Sequence, residues 1–313
     1  MQLIIILLAT VSILTFLSGA IVFFGAKKKE KLRSAWFFIA AFFATVWMAS
    51  ISIFLTAGID KMDTIDWHVK WTFVSAILID IAFLAYVIWP EKKGKLVTFG
   101  FFVVGMILSA LIFIKPALLY SEIILSNTGN TITLNIDVFY ILYIMYFCFI
   151  VPTIVLTLLK QFVKTSSNRK RGGDLVVMIS FGLSSVLVMI SEIVLPIMSN
   201  WHLIWLGPLA LSATIIAFYY SILRYRALNL SSIWLKIFSY IVLLSSVAIV
   251  YMIIFSLIFA ALFRGSTPSI EVIILNFIMV IIFILLMPAL NEVYASIRAL
   301  IADQKPTNKK DAA

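Results

Sequence analysis

Charge is scarce in this chain. Only 12% of its 313 residues are Asp, Glu, Lys or Arg, about half the share of an ordinary soluble domain. That excludes a soluble enzyme and a disordered protein. There is one cysteine, Cys148, inside an apolar block. No intrachain disulfide and no cysteine-based metal site is available, and a lone cysteine there serves packing. Histidine appears twice, as His68 and His202, both in segments that read as outer. A cytoplasmic phosphoacceptor histidine is therefore missing. No lysine lies between residues 202 and 223, so a retinal Schiff base on the seventh span is excluded. No nucleotide-binding glycine motif occurs, since Gly172 and Gly173 sit in a basic linker. No Ser/His/Asp or Cys/His arrangement is credible. The chain reads as a non-enzyme without a cofactor or a metal.

What is abundant is apolar sequence. Hydrophobic residues make up 63% of the chain, and mean hydropathy is +1.13. They come in blocks of about 18 residues or more, the length that spans a bilayer as a helix. The spans read as 3–25, 35–57, 69–89, 96–114, 137–159, 175–198, 202–223, 234–263 and 270–289. The fold class is an all-α polytopic membrane protein of about nine transmembrane helices.

Basic residues orient it. The net charge is +10, which in a soluble protein would point to nucleic acid. Here all 24 Lys and Arg except Lys61, Lys70, Lys115 and Arg264 fall in alternate connecting segments. The positive-inside rule then puts the N-terminus outside and the C-terminus in the cytoplasm. No basic residue precedes the first apolar stretch, so that stretch reads as a retained span and not a signal peptide. Trp67, Trp71, Trp201 and Trp205 fall near the outer boundary, and Trp36, Trp89 and Trp234 near the inner one, as interfacial belts do. Trp47 lies deeper and reads as packing.

The longest outer connection is 115–136. Two β-prone runs there, from Ser121 and from Thr131, flank an Asn/Gly turn, which predicts a hairpin. It reads either as a lid over an outer pocket or as a solvated connector. The inner segment from Gln161 to Gly173 reads as a flexible basic linker. Asp60, Asp63, Asp66 and His68 precede the third span. Their spacing fits no zinc or calcium loop, and they read as a solvated acidic loop. Pro152, Pro196 and Pro208 fall in or near helices and predict bends.

Two carboxylates sit within apolar spans, Asp80 in the third and Glu192 in the sixth. An ionisable group in hydrocarbon costs about 2.5–3.5 kcal/mol on insertion scales and marks a functional candidate. Glu192 has no basic residue within its own span, and the third span holds only Lys70, at its outer end away from Asp80. Ser75 stands near Asp80, and Ser184, Ser185 and Ser191 precede Glu192. One reading is a polar cavity open to the outside, binding a ligand through Asp80, Glu192, Ser75, Ser191, Trp205 and His202. The other is a pair of neutral acids gluing helices together.

The stretch from Asn168 to Ile233 carries a resemblance. It opens Asn168-Arg-Lys-Arg, and its helix ends Ile193-Val-Leu-Pro196. Leu206-Gly-Pro208 follows, then Ala217-Phe-Tyr-Tyr-Ser-Ile-Leu-Arg-Tyr-Arg226-Ala-Leu-Asn-Leu-Ser. This resembles the N-terminal seven-helix sensor region of bacterial histidine kinases, with Ala227 where that family usually has leucine. The resemblance covers residues 1–230 in span count and is specific only in its last third. It implies a multi-pass receptor in a bacterial cell membrane, acting as a dimer. It implies an extracellular small ligand and a cytoplasmic kinase or other output domain. About twenty residues follow the last span, too few for a catalytic domain, so a separate or missing domain supplies the output.

The segmentation is then 1–228 as a sensor domain, 229–290 as a two-helix hairpin and 291–313 as a short tail. Arg224, Tyr225 and Arg226 close the seventh span at the inner interface, where arginines hold phosphate headgroups and fix a helix's depth. They read as the relay, or as a plain anchor. The alternative function is a proton-coupled transporter or channel subunit using Asp80 and Glu192.

Overall fold

The computed structural model describes residues 2–26, 28–57, 62–88, 94–124, 130–165, 168–198, 201 and 203–225. All lie in the first of the chain's two units, Met1–Leu243. The eighth and ninth spans, the tail, His202 and Arg226 lie outside the described residues. Helix α1 is Gln2–Gly25, α2 Lys31–Thr56, α3 Met62–Ile88 and α4 Gly94–Ile114. Strands β1 (Tyr120–Ile124) and β2 (Thr131–Leu134) form an antiparallel hairpin. Helix α5 is Val138–Lys164. Helix α6 is Asn168–Met189, continued through a π turn at Ile190–Val194 and Leu195–Ile197. Helix α7 is Leu206–Tyr225. Among the described residues, six helices are long and apolar enough to cross a membrane, and Leu206–Ile222 is a shorter apolar one.

Helix α3 is the axis of the bundle. Its apolar window is 83% buried, against 28% for α4 and for α6. It packs on α2, α4 and α5, while α7 closes the bundle against α6, α1 and α2. Small residues set the close approaches. A Cβ on Gly19 would fall 2.5 Å from Ala41 Cβ, and one on Gly105 2.7 Å from Ile81 Cδ1. Membrane helices associate through such small contacts and through hydroxyl hydrogen bonds. Between α6 and α7, Ser184 bonds Thr214, and Thr214 Oγ1 donates to the Ser180 carbonyl at 3.1 Å.

Helix ends leave carbonyls unpaired, and lipid offers them no partner. Long-range donors supply them here. At one end Lys31 Nζ donates to Phe23 O at 2.8 Å, Arg33 Nε to Tyr86 O at 3.1 Å and Gln161 Nε2 to Val87 O at 2.7 Å. These cap α1 and α3, whose C-termini also favour positive charge. At the other end Asn130 Nδ2 donates to Phe54 O at 2.5 Å and Ala57 O at 3.1 Å, so the hairpin caps α2. The two ends are called below the basic end and the hairpin end.

Two sequence expectations are corrected. The third helix starts at Met62, so Asp66 and His68 lie on its opening turns and not in a loop. An Asp66–Lys70 pair at 2.5 Å supports those turns, and acidic residues suit a helix N-terminus. Most of the Gln161–Gly173 stretch is helical and not a linker, because α5 runs to Lys164 and α6 begins at Asn168. Gln161 is spent capping α3, and Thr165 Oγ1 donates to Asp174 Oδ2 at 2.8 Å, joining the two helices.

Candidate functional site

The hydrogen bonds set the helix directions. Tyr143 donates to Phe73 O and Gln161 to Val87 O, so α5 runs parallel to α3. Thr165 meets Asp174 across the basic end, so α6 runs antiparallel to α5. Three stripes therefore face one another. They are Thr72, Phe73, Ala76 and Asp80 on α3; Tyr143, Phe147 and Val151 on α5; and Ser185, Val188, Met189, Glu192 and Ile193 on α6 and its π turn. The i, i+4 spacing puts each stripe on one helix face. Trp47 of α2 and Leu211 of α7 complete the walls of a cavity of about 40 Å³. One water needs about 10–15 Å³, so a few waters or a small polar head fit.

Asp80 and Glu192 both line it. Along α3 the lining runs from Thr72 to Asp80, about 12 Å at 1.5 Å per residue. Glu192 stands toward the hairpin end and Asp80 toward the basic end. Asp80 is 6% exposed and has no hydrogen bond or salt bridge among the described residues. Glu192 Oε1 is out of solvent and also unpartnered, as is Nε1 of Trp47, a residue 1% exposed. Tyr143 and Tyr146 lie within electrostatic reach of Asp80, and Tyr140 and Tyr143 of Glu192. Among the described residues no Lys, Arg or His lines the cavity.

The backbone under Glu192 is unusual. Pro196 has no N–H for the carbonyl four residues back, so the α ladder fails there. The chain widens into a π turn, with Leu195 N–H bonded to Ile190 O. Such bulges re-aim side chains and recur at functional sites. Glu192 lies against Gly207 at the start of α7, where a Cβ would fall 2.8 Å from Glu192 Cγ. The carboxylate's stem thus occupies the space a side chain on α7 would need.

An aromatic column joins the cavity to the hairpin. Phe73 packs edge-on to Tyr143 at 5.8 Å between ring centroids and stacks with Tyr120 of β1 at 6.4 Å. Tyr120 Oη donates to Asp66 Oδ1 at 2.5 Å. Burial and the Asp66 carboxylate together hold the Tyr120 phenol well above its ordinary range.

The residues singled out in the sequence fall in different places. Asp80 and Glu192 come together. Ser75 is buried on α3 with its hydroxyl unpartnered, outside the lining. Ser191 is buried and turns to Val188 O at 3.4 Å. Trp205 sits in the turn before α7, also outside the lining. His202 is outside the described residues. Arg224 and Tyr225 close α7, and Arg226 lies beyond the description. Sequence reading missed Trp47, Phe73, Tyr143 and Phe147 as lining. The tyrosines at 140, 143 and 146 were the available signal, since three phenols at helical spacing in an apolar span need partners.

A second cavity lies at the basic end, lined by Arg33, Tyr86, Gln161 and Asp174 together with Phe218, Ser221 and Ile222 of α7. Among the described residues no group of three His, Cys, Asp or Glu could hold a metal ion.

A bundle of long apolar helices around a partly polar cavity defines a multi-pass membrane protein. Residues 6–231 match the family model described as the N-terminal 7TM region of histidine kinase, and the chain belongs to that family. No curated protein and no solved structure matches it.

Proposed function

We propose that this chain is a bacterial membrane sensor that captures a ligand from its outer side and relays it inward through α7. The carrying observation is that Asp80 and Glu192, on different helices, line one cavity, where Glu192 Oε1 has no hydrogen-bond partner among the described residues. Charge bias supports an N-terminus outside and a hairpin facing out. The hairpin then acts as a strap over the cavity, touching it through Tyr120 and Phe73. The relay is mechanical. A ligand that engages Glu192 shifts the π turn, which is seated on Gly207 at the head of α7. The foot of α7 lines the Arg33–Asp174 cavity and continues into Arg224, Tyr225 and Arg226. Signalling requires that the ligand favour one of two α7 positions. The output is a cytoplasmic kinase or other domain.

The test has two arms. Single cysteines at Ser121 and Lys160, in a Cys148→Ser background, are labelled with a membrane-impermeant reagent on whole cells. Labelling of the first alone is expected, and the reverse pattern overturns the orientation. A photo-crosslinker at Tyr294 then captures the output partner in cells. A kinase or other output domain is expected, with a yield that changes in the Asp80→Asn/Glu192→Gln variant. Unchanged capture in that variant removes the cavity from signalling.

A further inference from the structure

The walls of the cavity differ in exposure. Trp47, Thr72, Asp80, Tyr143 and Leu211 are buried. The lining residues with open surface are Val151 on α5 and Val188, Met189 and Glu192 on α6 and its π turn. Met189 is 37% exposed. Around them α5 and α6 present exposed Phe149, Leu183, Val186 and Ile190, the composition of a lipid-facing surface. The mouth is therefore lateral, between α5 and α6, with an apolar rim. The floor holds Asp80, and Glu192 stands at the hairpin-end wall.

We infer that the cavity takes an amphiphilic amine from the outer leaflet of the bilayer: a protonated primary amine on an apolar chain that lies in the α5–α6 gap. This rests on the sensing-site reading above and names its ligand class. The floor selects charge. A buried carboxylate without a partner is costly, and among the described residues no basic side chain lines the site. An ammonium brings three donors and the counter-charge that a buried carboxylate lacks. The aromatic side chains of Trp47, Phe73 and Tyr143 line the same cavity, and aromatic rings attract a cation. The rim selects the tail, because Val151, Val188 and Met189 offer only dispersion contacts. Sign disfavours the bilayer's own phospholipids, since a glycerophosphate sets an anion beside two acids. A fatty acid adds a third carboxylate, and a fatty alcohol leaves the acids without a counter-charge.

The test uses the full chain in phosphatidylcholine nanodiscs and a primary alkylamine bearing a terminal diazirine. Photolabelled residues are mapped by mass spectrometry. Labels are expected at Val151, Val188 and Met189, suppressed by excess octylamine and not by octanol. In the Asp80→Asn/Glu192→Gln variant the affinity should fall about tenfold or more, the scale of one lost charge-assisted contact. The octylamine–octanol comparison is made on the unmodified chain, so it stands if the variant fails to fold. Even labelling of lipid-facing residues such as Phe99 and Leu142, or equal competition by octanol, overturns the proposal. Altered partner capture in the amide variant without any amine competition would sink the amine and keep the sensing site. Amine competition with unaltered capture would do the reverse.

Discussion

The cavity and the basic end are built from similar materials and solve opposite problems. At the basic end Arg33, Gln161 and Thr165 each donate to a named acceptor on another helix. Arg33 also lies 4.5 Å from the centroid of the Tyr86 ring. Those polar groups offset the orphan carbonyls that membrane helices must satisfy. In the cavity, Glu192 Oε1 and Trp47 Nε1 are buried with no hydrogen-bond partner among the described residues. A polar group that completes a helix end holds the fold. One left unpaired inside the bundle is a cost that persists only where something else can meet it.

That contrast can be broken most sharply at Gly207. Gly207→Leu drives a side chain into Glu192. Overpacking should cost about 1–3 kcal/mol, read as a lower unfolding midpoint in detergent. The same substitution in a Glu192→Ala background should recover most of the loss, and no recovery would remove the contact from the argument. Next comes Arg33→Ala, which takes a charged donor from Tyr86 O. About 1.5–3 kcal/mol is at stake in a hydrogen bond to a charged group, and amide exchange should rise first in the last turn of α3. Asn130→Ala should cost about 1 kcal/mol and loosen the hairpin from α2 without altering the basic end, as proteolysis within the hairpin would show.

Smaller still is the Tyr120 contact. Its phenol is held above its ordinary range, so folding favours the neutral form. The contribution is intact below about pH 10, where the unfolded tyrosine is also neutral, and declines as pH rises above that value. Tyr120→Phe should remove this alkaline dependence, and a dependence that persists would assign it elsewhere. The smallest effect belongs to Lys70→Met. It breaks a partly exposed i, i+4 pair with Asp66 worth about 0.3–0.5 kcal/mol, within reach only of a careful double-mutant cycle.

Much of this was readable in advance. Apolar block length gives the described spans, because a bilayer fixes the length of a helix. The strands around the Asn/Gly turn are where alternation places them. The start of α3 was not legible, because Asp66 and His68 look like a loop by hydropathy and are helical, with Asp66 paired to Lys70 one turn on. The π turn was not legible either. Pro196 announces a break in the ladder but does not say whether the helix kinks, stops or widens.

What the sequence by itself determined was the solvent, the family and the two intramembrane acids as candidates, since hydropathy, motif and isolated charge are local properties. That Asp80 and Glu192 line the same cavity was decided only by tertiary structure. Their positions are 112 residues apart in sequence and meet because α3 and α5 run parallel while α6 returns antiparallel between α5 and α7. Which face of a helix looks inward depends on its neighbours, and in lipid the apolar pattern that would reveal it is nearly uniform around the helix.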